Sequence, residues 1–293
     1  MNRPRGMAEY KAASARFATA EGRARGLAYR PDPTDVFIAP YAKCGTTWMQ
    51  QIVHGLRTGG DMAFDEITAA VPWIEMAHDM GLAIPGDQPA PRAFKSHLGW
   101  HEIPKGGRYI VVLRDPVDAM RSLFRFLEGW FFEPGSIGLD EFALDYLDRS
   151  DRDDYWTHAA SWWRVRNRDE VLLLAYEHMR ADLPRTVARV AAFLGLDDAQ
   201  TIAIATRQAS FDFMKAHERQ FDDHLLRAAR DAACGLPPGG AASKVHEGRV
   251  AGEAHLVPPA IRARYGARWA GTMGAEFGLE TYRDALDALD RAA

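Results

Sequence analysis

Tyr41-Ala42-Lys43-Cys44-Gly45-Thr46-Thr47-Trp48 is the stretch on which the reading of this chain turns. Residues 35–38, Asp-Val-Phe-Ile, precede it as a short β-branched and aromatic run that enters a turn at Pro40. After it, Trp48, Ile52, Val53 and Leu56 recur at helical spacing. The pattern predicts strand, loop, helix. Backbone N–H groups of such a loop and the positive end of the helix dipole converge on one anion, and the Lys43 ammonium with two threonine hydroxyls adds further donors. The loop is not a Walker A loop, because the lysine comes before the glycine and no Gly-Lys-Ser/Thr triplet stands at the required spacing. ATP is therefore not the first ligand to expect.

Working outward, residues 92–97 and 108–113 read as two more strands, the second apolar without alternation, which suits a sheet covered on both faces. Asp115 and Pro116 supply a helix start, with Val117, Met120, Leu123, Phe124 and Leu127 at helical spacing behind them. A long helix is expected over 155–168, a buried strand at 171–174, and helices at 184–194, 199–207 and 259–270. Alternation of strand and helix gives an α/β class with a central parallel sheet flanked by helices. No repeat or Pro/Ser-rich linker divides the chain, so one domain over 31–293 is expected, preceded by an N-terminal arm over 1–30. That arm is rich in alanine and arginine and reads as frayed and partly helical. The Gly/Pro-rich stretch 235–240 reads as a mobile loop.

The composition excludes several classes. In 293 residues, 36 Lys plus Arg against 40 Asp plus Glu leave a formal charge of −4, so the surface as a whole has no concentrated positive field for nucleic acid or an anionic membrane. Any anion site must be built locally. With 47% hydrophobic residues the chain can bury a sizeable core. The two cysteines, Cys44 and Cys234, stand far apart in sequence, which argues for a reducing compartment and against a disulfide framework. No run approaches the roughly 18 apolar residues of a membrane span, so no stable membrane insertion is expected and a soluble cytoplasmic protein is the default. Cys44 falls inside the anion loop, where its oxidation is expected to block the ligand.

Lys43-Cys44-Gly45-Thr46-Thr47-Trp48 resembles the Lys-x-Gly-Thr-Thr-Trp loop that follows the first strand in PAPS-dependent sulfotransferases, and every position agrees. The resemblance implies a P-loop-NTPase-like sulfotransferase fold. It also implies that Lys43, Gly45, Thr46 and Thr47 hold the 5′-phosphosulfate of 3′-phosphoadenosine-5′-phosphosulfate (PAPS; product PAP), with Trp48 stacked on adenine. Arg114, at the end of an apolar strand, and Ser122, eight residues on, have the spacing of the family's 3′-phosphate motif, and Asp115-Pro116 matches its Asn/Asp-Pro. A guanidinium suits a terminal phosphate. Tyr176-Glu177 and Ser210-Phe211 resemble two further adenosine-contacting segments. Phe94-Lys95-Ser96-His97-Leu98 resembles the family's Lys-Thr-His-Leu block, which makes His97 the implied general base and Lys95 a second cation on the anionic group or the acceptor. A neutral imidazole near pH 7 fits that role, since sulfuryl transfer to a hydroxyl needs a base for its proton while positioning and electrostatics do the rest.

The sequence departs from the pattern late in the chain. Where the family carries Arg-Lys-Gly, residues 244–249 read Lys-Val-His-Glu-Gly-Arg, so His246 and Glu247 stand at the cation positions. Lys244, Gly248 and Arg249 are the expected compensating contacts, through a rearranged lid. His101-Glu102, His217-Glu218 and His246-Glu247 each lack the second histidine of a His-Glu-x-x-His motif, so no metal is implied. Val71-Pro72-Trp73-Ile74-Glu75 resembles a segment at the mouth of the acceptor pocket. Phe126, Trp130, Phe131 and Phe132 form an aromatic cluster, so Trp73 and Phe132 are the expected substrate contacts in an apolar cavity for a small-molecule hydroxyl acceptor. Two other readings compete. An ATP-dependent small-molecule kinase requires a Walker A loop and an acidic Mg²⁺ ligand, neither of which is evident. A non-catalytic nucleotide-binding relative is motivated by Glu247.

Overall fold

The computed structural model describes residues 2–149, 154–240 and 256–291. Four strands, β1 (Val36–Ile38), β2 (Ala93–Lys95), β3 (Arg108–Leu113) and β4 (Val171–Ala175), make one parallel sheet in the order β2-β1-β3-β4. β2 is shorter than the expected strand 92–97 because its partner stops. Ser96 N donates the last ladder bond to Ile38 O at 2.8 Å, and nothing of β1 lies beyond. The chain leaves β1 towards one side of the sheet, to β2, and then crosses to the other side, to β3. The direction of winding thus changes between the carboxyl ends of β1 and β3, the place where open α/β sheets form ligand crevices. The register enlarges that crevice: β1 ends with Ile38 opposite Ile110, whereas β3 runs on to Leu113 opposite Ala175.

Both faces of the sheet are buried, as the unbroken apolar run 109–113 implies. Val36, Ile38, Ile110, Val112 and Leu174 pack under helices Thr46–Thr58, Leu183–Leu194 and Ala199–Gln208. Phe37, Phe94, Tyr109, Val111 and Leu113 face the other way, towards helices Pro116–Leu127, Leu139–Asp148, Tyr155–Trp163 and Pro259–Trp269. At the centre of that face Phe37 and Tyr109 stack at 5.6 Å. A side chain of this size contributes roughly 1.5–3 kcal/mol when fully buried, so the two layers clamp the strand ends rigidly. Among the described residues no helix is long and apolar enough to cross a membrane.

Three expectations change. The helix that begins at Tyr155 stops at Trp163, short of residue 168, and the chain then turns tightly, with Arg168 N donating to Val165 O at 3.0 Å. The stretch 235–240 has no helix or strand, yet it is anchored: Leu236 is buried, and Gly240 lies so close that a Cβ would sit 3.1 Å from the Gly129 carbonyl oxygen. The N-terminal arm is not frayed. It forms helices Met7–Ser14 and Ala20–Leu27 that are fastened to the body. Tyr10 packs edge-on against Phe131 and Phe132, and Arg16 Nη2 donates to Cys234 O at 2.7 Å. The Thr19 hydroxyl caps the second helix by accepting from Gly22 N, and Thr19 N donates to Asp79 Oδ2 at 2.8 Å. Gly26 is obligatory there, since a Cβ would lie 2.2 Å from the Ile74 carbonyl oxygen.

Candidate active site

The loop after β1 occupies the crevice. Gly45 has φ 95° and is the N-cap of the Thr46–Thr58 helix, whose first turn is capped by no side chain. Lys43 has φ 66°, a conformation a non-glycine residue adopts at a cost of about 1–2 kcal/mol. Arg114, leaving the end of β3, holds it there: its Nη1 donates to the Lys43 carbonyl oxygen at 2.8 Å. The same guanidinium lies 4.2 Å from the Tyr176 ring centroid, at the end of β4. Three successive sheet positions are thereby locked to one another. Gly45 completes the fit, because a Cβ on it would come within 3.1 Å of the Tyr176 ring.

The loop opens on a cavity of about 940 Å³. Of the residues singled out from sequence, Lys43, Gly45, Thr46, Thr47, Trp48, Lys95, His97, Arg114, Ser122, Tyr176, Phe211 and Trp73 all line it. Two do not. The Ser210 hydroxyl caps the Phe211–Ala216 helix by accepting from Phe213 N. Phe132 is fully buried against Tyr10, Phe124 and Phe142, while its neighbours Phe126, Trp130 and Phe131 line the cavity instead. Lys244, Gly248 and Arg249 lie outside the described residues.

At one end the cavity is aromatic. Phe17 lies within 6.0 Å of both Trp73 and Trp130 and 5.6 Å of Phe131, ring centre to ring centre. At the junction with the loop the two lysines rest on ring faces, Lys43 Nζ 3.9 Å from the Phe126 centroid and Lys95 Nζ 4.0 Å from that of Trp73. Such contacts hold an ammonium in place without neutralising it. His97 sits between Trp73, at 4.9 Å, and the Pro40 carbonyl, whose oxygen is 2.8 Å from Nδ1. A carbonyl can only accept, so Nδ1 carries a hydrogen, and in the neutral ring the lone pair is on Nε2. The His97 backbone is fixed as well, since its N–H donates to Glu75 Oε1 at 2.9 Å, and burial raises the Glu75 carboxyl above the usual range.

Among the described residues the cavity wall contains six cationic side chains, Lys43, Lys95, Arg114, Arg121, Arg125 and Arg180, against two carboxylates, Asp118 and Asp223. A protein of net charge −4 has concentrated positive charge in one place. Sequence reasoning missed Arg121, Arg125 and Arg180, and also Tyr10, Ser14 and Phe17 from the N-terminal segment. For Arg121 and Arg125 a signal was present: Asp118, Arg121, Ser122 and Arg125 share one face of a helix. Cys44 corrects another expectation. It is fully buried, and burial pushes its thiol up to about 12, so it is a packing residue and not an oxidation-sensitive one. Glu66, Asp222 and His224 bring ligand-type atoms together. His224 is hydrogen-bonded there to Asp222 at 2.7 Å and Asp65 at 2.9 Å, which ties two loops.

Comparison with known proteins agrees with this geometry. The family model described as Sulfotransferase domain matches residues 33–232. The chain is 30% identical over 214 residues to sulfotransferase 1B1 of Canis lupus familiaris, covering 68% of this chain and 72% of that protein. It is 26% identical over 200 residues to sulfotransferase 1C2 of Rattus norvegicus, covering 64% and 68%. Among solved structures, mouse sulfotransferase SULT7A1 complexed with PAP superposes with a TM-score of 0.67 at 19% identity, covering 94% of this chain and 95% of that one. The first of these likenesses spans the loop, the Arg114 helix and the strand of His97 alike, and with it the chain belongs to the PAPS-dependent sulfotransferase family.

Proposed function

We propose that this enzyme transfers a sulfuryl group from PAPS to the hydroxyl of a small, largely apolar molecule, with His97 as general base. One observation carries the reading: a single cavity joins a cationic phosphate-type cradle to an aromatic chamber, and His97, Lys43 and Lys95 stand at the junction. The residues fit the donor. Thr46 Oγ1 and Arg114 Nε are buried and have no hydrogen-bond partner among the described residues, which is costly unless a ligand supplies acceptors. When bound, the donor supplies a sulfuryl group whose bond to the bridging phosphate oxygen breaks as the acceptor oxygen bonds to sulfur.

The protein's own groups do the rest. Lys43, Thr46 and Thr47, with the first-turn N–H groups, bind the 5′ end. Arg114 and Ser122 bind the 3′-phosphate, and Trp48, Tyr176 and Phe211 enclose the adenosine. Trp48 is already set for that, its Nε1 donating to Ala209 O at 2.7 Å and its ring edge-on to Tyr176 at 5.7 Å. His97 receives the acceptor proton on Nε2, and the Pro40 carbonyl stabilises the resulting imidazolium through Nδ1–H. Lys43 meets the charge that develops on the bridging oxygen, and Lys95 offsets charge on the sulfuryl oxygens, both in a site where the ligands displace water. Phe17, Trp73, Trp130 and Phe131 hold the acceptor's apolar body. The test is incubation with sulfur-labelled PAPS and a panel of phenols, aliphatic alcohols and sugars. Label on an apolar hydroxyl compound is expected. Donor binding with no acceptor labelled across the panel would overturn the reading.

A further inference from the structure

We infer that Arg121 is a second arginine of the donor's 3′-phosphate subsite, held in place by Asp118 and acting beside Arg114 and Ser122. The inference rests on the donor reading of the preceding subsection and adds a residue to it. Arg121 immediately precedes Ser122 on the Pro116–Leu127 helix, and it lines the same cavity as Arg114, Ser122 and Tyr176. Its residue is 8% exposed, which is unusual for an arginine on the outer layer of an α/β fold. Asp118, one turn earlier, stands 3.5 Å from Arg121 Nη1 and is equally buried, so the guanidinium is aimed and not left to sample rotamers. Asp118 is in turn fixed through its N–H, which donates to the helix-capping Asp115 carboxylate at 3.1 Å.

The electrostatics ask for an anion. Burial pulls the Arg121 guanidinium below its ordinary range; Asp118 opposes this and the nearby Arg114 adds to it. Two arginines close enough to repel each other line one wall of the cavity, with the Asp118 carboxylate beside Arg121. Such an arrangement is unfavourable by itself and favourable when a dianion sits against both guanidinium groups. A nucleotide 3′-phosphate has that charge, and its position is set by Arg114 and Ser122. Asp118 stands 3.5 Å from Arg121 Nη1, and its role in the site is to direct that guanidinium.

The experiment compares calorimetric affinities for 3′-phosphoadenosine 5′-phosphate and adenosine 5′-phosphate, which differ only in the 3′-phosphate. The wild-type protein is expected to prefer the former strongly. Arg121→Met is expected to narrow that preference by roughly 10- to 100-fold while leaving adenosine 5′-phosphate affinity within about threefold. Because Arg121→Met strands the Asp118 charge, the double variant Asp118→Asn/Arg121→Met removes both charges and is expected to show the same narrowing. Arg121→Lys is expected to restore part of the preference, which a purely structural role for the guanidinium would not produce. A folded variant that binds adenosine 5′-phosphate normally and keeps the full wild-type preference overturns the role of Arg121 and leaves the donor reading standing. A wild-type protein with no preference for the 3′-phosphate overturns the donor reading, and this inference with it.

Discussion

Arg114 is the residue whose removal separates the roles of fold and ligand most sharply. In the free protein its Nη1 bond to the Lys43 carbonyl, at 2.8 Å, and its position 4.2 Å over Tyr176 tie three strand ends together. A hydrogen bond from a charged group contributes about 1.5–3 kcal/mol, and the cation–π contact about 0.5–1 kcal/mol more. Arg114→Ala is therefore expected to cost roughly 2–4 kcal/mol of stability, a fall of several degrees in Tm for a domain of this size. It also releases Lys43 from the left-handed conformation it holds at φ 66°. On the proposed donor geometry the buried Nε and a second guanidinium nitrogen bind the phosphate, so the loss of two charge-assisted bonds is expected to weaken PAP binding by roughly 10²- to 10⁴-fold. Arg114→Lys keeps the charge but offers a point donor in place of a fork, so it cannot hold the Lys43 carbonyl and the phosphate together. We expect it to fall between wild type and Arg114→Ala in calorimetry. PAP affinity within about threefold of wild type for a folded Arg114→Ala protein would refute the reasoning, because no geometry that uses two such bonds allows so small a loss.

Gly45→Ala forces a Cβ into a φ of 95° and to within 3.1 Å of the Tyr176 ring, so a loss of at least about 1–2 kcal/mol in stability is expected together with weaker donor binding. An unchanged Tm would contradict it. Neither cysteine is expected to react with a thiol reagent in the native protein at pH 8: both are buried, and burial raises both thiols, Cys44 to about 12. Rapid labelling without unfolding would show that Cys44 is accessible. Acid should destabilise the fold through His158, which burial holds neutral down to about 3. From about pH 6.5 down to 3 the unfolded chain binds the proton and the folded one does not, so His158 contributes its full stability above pH 6.5 and loses it progressively below. Asp115, pushed up to about 6 by burial, opposes this, because the folded protein protonates it first as the pH falls. His158→Gln is expected to flatten the acid side of a Tm-versus-pH curve, and an unaltered slope would count against the assignment.

Much of the fold and of the donor side was legible from local pattern. The runs at 36–38, 109–113 and 171–174 are apolar without alternation, and a strand buried on both faces leaves just that mark. The loop and Arg114 were legible because an anion site at strand ends uses a few residue types at fixed spacing. What was not legible depends on contacts between distant segments. Helices Met7–Ser14 and Ala20–Leu27 are too short to be stable alone, and they exist because Phe17, Arg16 and Thr19 find partners on distant segments, at Trp73, Cys234 and Asp79. Phe132 and Phe131 are adjacent and equally aromatic, and only packing against Phe124 and Phe142 decides that Phe132 turns away from the cavity. Arg121 was not singled out from sequence, because its burial near Arg114 comes from the tertiary fold. If Arg121 binds the 3′-phosphate, the replacement of two late cations by His246 and Glu247 has a counterpart elsewhere in the chain.

The central claim is a division of labour within one cavity: arginine, lysine and the loop bind the donor, and His97 moves the proton. It is tested most directly by measuring PAP affinity and the single-turnover rate of sulfuryl transfer for wild type and His97→Ala in parallel, with the best acceptor from the hydroxyl panel. Removing a general base is expected to leave PAP affinity unchanged and lower the transfer rate by roughly 10²- to 10⁴-fold. A His97→Ala protein that transfers at the wild-type rate, or one that loses transfer only because it no longer binds PAP, would contradict the account.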